Sequence, residues 1–363
     1  MKKKIIFFCP AIDIGGVEKN FFKIVNFFSF KKNEDISIIT FDKKKGKERF
    51  NKNIKFISSN FLGIKNLPHF MKVLFCIISY FLEYGLQKNS TFVSFQSNLY
   101  FILLAKVTRN KIVARSNAAP NYYISNQFKL RIFQIIYFLA DKVIVNSEDF
   151  KKIFFKKFKI KPTMIYNPSF KKKNLKFKKI NKIRGGSKIN FLNVARLTDQ
   201  KNQIIILKAL SELDKLNYNL IIIGNGSKKN ELEKYISLYN LRNKVKIITN
   251  ITNPKKFLKK CDVFILSSKF EGLPNVLIEA QMMKKFIISS NCPTGPREIL
   301  KNGNAGYLFK NNDYKDLKKN IKKFMINKNS YEIQKKIKLG FNNLGRFDET
   351  KNLEKYYKEI INL

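Results

Sequence analysis

The chain has 363 residues, which at about 150 residues per domain predicts two domains. Four scattered cysteines, no CxxC pair and a single histidine exclude a disulfide scaffold and a zinc module, and suit a reducing compartment. The 72 basic and 26 acidic residues leave a formal charge of +46, which attracts nucleic acid, anionic lipid or phosphorylated substrates. Genome bias toward the AT-rich codons of Lys, Ile, Asn and Phe is the competing source of that excess. The N-terminal run MKKKIIFFCP stops at Pro10 without a cleavage site, and the apolar stretch Val73–Leu82 is half of a spanning helix. These features predict a cytosolic protein with no membrane span.

In chain order, short β-rich runs alternate with helix-length segments, which predicts parallel sheets with crossover helices. The first half reads as strands Lys4–Cys9, Asp35–Phe41, Ile54–Ser58, Thr91–Phe95, Lys111–Ala114, Lys142–Asn146 and Thr163–Tyr166. Helices are expected at Val17–Phe28, Pro68–Tyr84, Leu99–Thr108, Ile124–Ala140 and Glu148–Phe158. Asn167-Pro168 and the tract Lys171–Lys188, with Gly185-Gly186 and no acidic residue, then mark a linker. The second half repeats the alternation with strands Lys188–Val194, Asn219–Ile223, Val245–Thr249, Asp262–Leu266, Phe286–Ser290 and Gly306–Phe309. Its helices are expected at Gln203–Leu213, Lys229–Leu238, Pro254–Cys261, Val276–Met283 and Tyr314–Ile326, with helix from Asn327 onward.

Candidate chemistry sits at the strand ends. Gly15-Gly16, between the first strand and its helix, reads either as a phosphate-accepting turn or as a tight structural turn. The sequence is not GxGxxG, and no acid closes the second strand, Asp42 being the nearest. Arg196 ends a strand and Lys201 opens the next helix, a pair of cations suited to a diphosphate at the edge where open α/β sheets bind ligands. Glu271 lies in the loop Ser267–Asn275 and Glu279 about one turn into the following helix, so both carboxylates can serve sugar hydroxyls.

The pattern of Arg196, Lys201, Glu271 and Glu279, with FEGLPNVLIEA and NCPTGPREIL, resembles the retaining family 4 glycosyltransferases of GT-B fold. Glu271 and Glu279, with seven residues between them, match that family's EX7E motif. The resemblance extends through a GGVEK loop, an IYNP linker start, IIIGNGS, CDVFILSS and the final helix. It implies an α/β architecture of two Rossmann-like doubly wound domains facing a central cleft. The implied division is 1–168 for the acceptor, 169–187 as basic linker, 188–345 for the nucleotide sugar, and a helix at 346–363 as a candidate to pack back on the first domain.

Residue by residue, the resemblance implies that Arg196 and Lys201 neutralise the departing nucleotide diphosphate. Glu279 would bind ribose hydroxyls and Glu271 the transferred sugar. Backbone N–H groups of Gly272, Leu273 and Asn275 would lie near sugar and phosphate, Pro274 having none. Gly224 would sit near the base, and Gly15 and Gly16 would face the diphosphate or the acceptor across the cleft. Many members carry a histidine in the first domain. Here the only histidine is His69, in a predicted loop, and the matching neighbourhood Ala114-Arg115-Ser116-Asn117 offers no base, leaving Arg115 and Asn117 as acceptor-side candidates. There is no Asp-X-Asp sequence, and neither a metal nor any other cofactor is expected beyond the nucleotide diphosphate sugar itself.

The expected activity is transfer of a hexose or N-acetylhexosamine, from UDP in the first instance, to a glycan or lipid-linked acceptor in lipopolysaccharide, capsule or related surface-glycan assembly. A UDP-sugar epimerase of the same fold and a basic nucleic-acid-binding protein are the alternatives. The latter lacks any reader motif, so no nucleic-acid partner is expected. A lipid-linked acceptor implies a cytoplasmic protein held at the inner face of an anionic membrane. Among the basic apolar segments Pro68–Tyr84, Ile124–Ala140 and Phe150–Phe158, the run FKKIFFKKFKIK (150–161) is the expected contact.

Overall fold

The computed structural model describes residues 3–12, 15–31, 33–41, 47–60, 64, 67–117, 124, 126–171, 188–213 and 216–363. Most of the basic tract Lys171–Lys188, with Gly185 and Gly186, therefore lies outside the described residues. The chain divides into two compact units, one of residues 1–170 with 348–363 and the other of residues 171–347.

The first unit runs β1 (Lys3–Phe8), α1 (Gly16–Ser29), β2 (Glu34–Thr40), β3 (Lys55–Ser58), α2 (His69–Tyr84), β4 (Thr91–Ser94), α3 (Asn98–Val107), β5 (Lys111–Arg115), α4 (Gln127–Phe138), β6 (Lys142–Val145), α5 (Glu148–Phe158) and β7 (Thr163–Met164). Its parallel sheet has the order β3-β2-β1-β4-β5-β6-β7, so the chain reverses direction across the sheet between β1 and β4. Register there is set by Ile5, opposite Ile36 on one side and Thr91 on the other. Runs such as IIFF (Ile5–Phe8) are apolar without alternation because helices cover both faces. Ile6, Phe8, Phe92 and Ile112 face α2 to α5, whereas Ile5, Phe7, Val93 and Val113 face α1.

Local signals place the helix starts. Ser147 caps α5 by accepting from the Phe150 N–H, with Glu148 and Asp149 in its first turn and Lys156 and Lys157 in its last, matching the helix dipole. Asn126 caps α4 in the same way, which moves its start from the expected Ile124 to Gln127. In α5, Phe150, Phe154 and Phe158 recur every four residues and are all buried. That corrects the expectation for FKKIFFKKFKIK: its apolar stripe is core, and of its large apolar side chains only Phe155 is exposed.

The second unit runs β8 (Ile189–Val194), α6 (Ile204–Ser211), β9 (Tyr218–Ile223), α7 (Lys229–Leu238), β10 (Val245–Ile248), α8 (Lys255–Lys260), β11 (Val263–Leu266), α9 (Asn275–Met282), β12 (Phe286–Ser290), α10 (Pro296–Ile299), β13 (Tyr307–Phe309), α11 (Tyr314–Asn327) and α12 (Tyr331–Asn342). Its parallel sheet has the order β10-β9-β8-β11-β12-β13, reversing between β8 and β11. The short α10 was not anticipated from the sequence. Beyond a 3₁₀ turn at Asn343–Phe347, α13 (Glu349–Ile361) returns to the first unit. There Leu353, Tyr356 and Ile360 join the core beneath α1, and Lys142 pairs with Glu359 at 2.8 Å.

Candidate active site

Because every strand of the second sheet is parallel, the loops after β8, β9, β11, β12 and β13 emerge at one edge, with the reversal between β8 and β11 at its centre. Lys201, seven residues past β8, and Glu271, five past β11, meet there. The Lys201 Nζ lies 2.6 Å from Glu271 Oε1, and both side chains are largely buried. The Ser268 hydroxyl donates to the same Oε1 at 2.7 Å, so one carboxylate oxygen carries two donors. Lys201 and Glu271, expected to serve different parts of the donor, thus form a single unit.

A second tier of bonds holds this pair in place. Ser267 Oγ donates to the Lys201 carbonyl and Ser290 Oγ to the Ser268 carbonyl, each at 2.7 Å. Gln200 Nε2 donates to Phe270 O at 3.0 Å, and the Lys269 N–H returns a 2.8 Å bond to Gln200 O. Thr294 Oγ1 donates to the Glu271 carbonyl. Gly295 has φ +87°, and a Cβ there would lie 2.4 Å from Gly272 O and 2.6 Å from Pro274 Cδ. The CPTGP turn is therefore the support on which the Glu271 loop rests. Sequence reasoning missed Ser267, Ser268, Ser290 and Thr294; small polar residues at the C-terminal ends of buried strands were the available signal.

Gly295→Ala is accordingly expected to lower stability by more than the roughly 1–3 kcal/mol of backbone strain alone, and to lower activity with it. Gly303→Ala is the control. Its φ is also positive (+90°), but a Cβ there meets nothing nearer than 3.9 Å. Equal thermal shifts for the two variants would remove the supporting role from Gly295.

The other candidates in this unit fall around the same edge. Arg196 follows β8 with an exposed side chain, its carbonyl accepting from Gln203 Nε2 at 2.9 Å. Gly272 and Leu273 are buried, Asn275 opens α9 without a side-chain cap, and Glu279 stands half-buried one turn on. Gly224, at the end of β9, is fixed by packing, since a Cβ there would come within 1.8 Å of Ala195 O. Burial, followed by the nearby Glu271 carboxylate, pushes the Cys292 thiol up to about 12, so it carries no nucleophile at neutral pH.

In the first unit, Gly15 is the N-cap of α1 and Gly16 its first residue. The Glu18 carboxylate lies over this turn: a Cβ on Gly15 would come within 2.3 Å of its Oε2, and Gln96 Nε2 donates to Oε1 at 3.2 Å. Arg115 requires correction as an acceptor-side group. It is 1% exposed, donating from Nε to Tyr356 OH at 2.9 Å, from Nη2 to Asn167 Oδ1 at 2.8 Å and from Nη1 to Asn117 Oδ1. Asn117 in turn donates to Phe95 O at 2.6 Å. This network ties α13 to the sheet and leaves the guanidinium no open face. His69 is the first residue of α2 rather than part of a loop, and its Nε2 lies 2.8 Å from Ser97 Oγ. Desolvation of the ring, and then the Lys72 ammonium, hold its pKa below the ordinary histidine value.

Among the described residues, no group of three or more His, Cys, Asp or Glu is placed to hold a metal ion. No described helix is long and apolar enough to cross a membrane.

Structures with the same two-unit architecture are known. The crystal structure of Anabaena HepE with UDP and glucose matches with a TM-score of 0.77, at 17% identity over 99% of this chain and 100% of that one. The fold is GT-B. Within it, residues 174–338 match the family model of glycosyl transferases group 1. A 217-residue stretch is 36% identical to an uncharacterized glycosyltransferase of Methanocaldococcus jannaschii. That match spans about half of either protein, 55% of this chain and 53% of the relative. A Campylobacter jejuni N-acetylgalactosamine-N,N'-diacetylbacillosaminyl-diphospho-undecaprenol 4-alpha-N-acetylgalactosaminyltransferase is 27% identical over 84% of this GT-B chain and 86% of its own.

Proposed function

We propose that this GT-B chain is a retaining glycosyltransferase that moves a hexose or N-acetylhexosamine from a UDP-sugar to a lipid-linked glycan acceptor, in surface polysaccharide assembly at the inner face of the membrane. The observation that carries the reading is the Lys201–Glu271 pair at the reversal point of the second sheet, with the Arg196 side chain exposed on the same loop as Lys201. Support for the donor and acceptor classes comes from relatives: HepE was crystallised with UDP and glucose, and the C. jejuni protein's name specifies a diphospho-undecaprenol acceptor.

In this mechanism the bond from the anomeric carbon to the diphosphate breaks as a bond to an acceptor hydroxyl oxygen forms on the same face, and the hydroxyl proton passes to the departing diphosphate oxygen. Negative charge grows on the departing diphosphate, and Arg196 and Lys201 stabilise it there. Arginine offers a planar fork and lysine a point charge, so the two cover oxygens at different angles. Glu279 accepts from ribose hydroxyls. Glu271 keeps one oxygen engaged by Lys201 and Ser268 and turns the other toward the hydroxyls of the transferred sugar. The N–H groups of Leu273 and Asn275 contribute to the sugar and phosphate contacts, with Gly272 allowing close approach and Gly224 beside the base. Since the Glu18 carboxylate already lies over Gly15-Gly16, that turn suits an acceptor hydroxyl better than a diphosphate.

Thermal shift against nucleotide diphosphates tests the donor. A saturating ligand at 100 times its Kd should add about 2.7 kcal/mol of stability, with UDP the expected one; no shift with any nucleotide diphosphate overturns the reading. Titration calorimetry then separates the carboxylates. Glu279→Ala should weaken UDP binding by about 1.5–3 kcal/mol, the cost of a charge-assisted hydrogen bond. Glu271→Ala should leave UDP binding unchanged or slightly tighter, because it releases the Lys201 ammonium, while lowering turnover. If Glu271→Ala is the more damaged UDP binder, the two roles are reversed.

A further inference from the structure

Apolar side chains are distributed very unevenly over the surface. Of the 21 large apolar side chains exposed among the described residues, 15 lie between Phe70 and Phe155 in the first unit, and only four lie on the second unit. The helices α2 to α5 cover one face of the first sheet side by side. α2 packs on β2 and β3, α3 on β4 and β5, and α4 against both α3 and α5. Each of the first three carries an outward stripe at helical spacing, opposite the stripe it buries. On α2, Leu74 and Ile78 face out while Val73, Cys76 and Tyr80 face in. On α3, Leu103 and Val107 are exposed, and on α4, Ile135 and Phe138. In α4 only Tyr137 is buried.

Helices α2, α3 and α4 carry four basic residues, Lys72, Lys106, Lys129 and Arg131, and one acidic residue, Glu83. The acidic groups at the rim are engaged, Asp141 with Lys106 at 2.9 Å and Glu83 with Lys55. Lys129 and Arg131 stand exposed within the apolar stripe of α4. A face that is both apolar and net positive offers little to a second copy of itself, since pairing would bring like charges together as the apolar stripes met. It complements a surface that is apolar beneath an anionic rim, which is an anionic bilayer. We propose that the outer face of α2, α3 and α4 docks on anionic membrane, with Leu74, Ile78, Leu103, Val107, Ile135 and Phe138 entering the headgroup boundary. Docking stands apart from the transfer reading, which supplies only a reason for the protein to meet a lipid acceptor.

Sedimentation of the full chain with phosphatidylcholine vesicles, with and without phosphatidylglycerol, tests it in the absence of donor and acceptor, so docking and transfer can fail separately. Wild type should bind the anionic vesicles in preference to the neutral ones. The triple variant Leu74→Ser, Ile135→Ser, Phe138→Ser should lose at least about tenfold in binding while keeping its circular dichroism, as all three side chains are more than half exposed. A second variant, Lys129→Glu with Arg131→Glu, leaves the apolar stripes intact and should abolish the preference for anionic vesicles. Leu238→Ser with Ile326→Ser, on the second unit, should bind as wild type. Equal binding to neutral and anionic vesicles, or undiminished binding by the triple variant, overturns the proposal. So does a wild-type dimer in analytical ultracentrifugation that the triple variant converts to monomer without vesicle binding, because the face then belongs to a second copy.

Discussion

Arg196→Ala is expected to reduce turnover by about 10²–10³-fold, equivalent to roughly 2.7–4 kcal/mol of lost charge stabilisation on the leaving diphosphate, with the thermal midpoint nearly unchanged. The separation follows from its position. Its side chain is exposed, so its removal opens no cavity and strands no partner among the described residues. Lys201→Met should cost as much in turnover but also destabilise the fold. It leaves the buried Glu271 carboxylate with Ser268 as its described side-chain donor, and breaking one side of a buried pair costs about 3–5 kcal/mol. Lys201 therefore has to be judged on the activity of the folded fraction, and Arg196 is the cleaner test. Initial rates with the donor sugar, set against melting curves of the same preparations, provide both readouts. Turnover near wild type in Arg196→Ala would remove the arginine from the mechanism.

Tyr356→Ala is expected to be the most damaging single change to the first unit, costing about 3–5 kcal/mol, as for other buried aromatic-to-alanine changes. The ring is 1% exposed, and its hydroxyl accepts from Arg115 Nε at 2.9 Å and donates to Ile165 O at 3.4 Å. Truncation thus opens a cavity beneath α13 and takes a partner from a fully buried guanidinium. Tyr356→Phe isolates the second effect. It keeps the packing and loses only the hydrogen bond, for about 1.5–3 kcal/mol as expected of a bond to a charged group. Urea unfolding of the three proteins measures the series. An unchanged midpoint for Tyr356→Ala would mean that α13 adds nothing to the stability of this unit.

Much of the architecture was legible in the residues themselves. A run such as IIFF or LIII is apolar at every position because a parallel strand between helix layers is buried on both faces, and that pattern is local. Helix starts were readable where a capping side chain marks them, as at Ser147 and Asp313, and shifted by a few residues where the cap lay deeper, as at Asn126. The spacing of Glu271 and Glu279 likewise placed one carboxylate before a helix and the other one turn into it.

What the tertiary structure alone decided is which faces are covered and which distant residues meet. Periodicity shows that Phe150, Phe154 and Phe158 share a face of α5, but not that this face is the core and the outer faces of α2 and α4 are the exposed apolar ones; that depends on the neighbours each helix finds. Arg115 has the composition of an acceptor-side cation, and becomes a buried strut only because α13, some 240 residues later, brings Tyr356 to it. Lys201 and Glu271 are separated by 70 residues, and they pair because the sheet reverses its strand order between β8 and β11, a choice made by crossover packing and not by any local run of sequence.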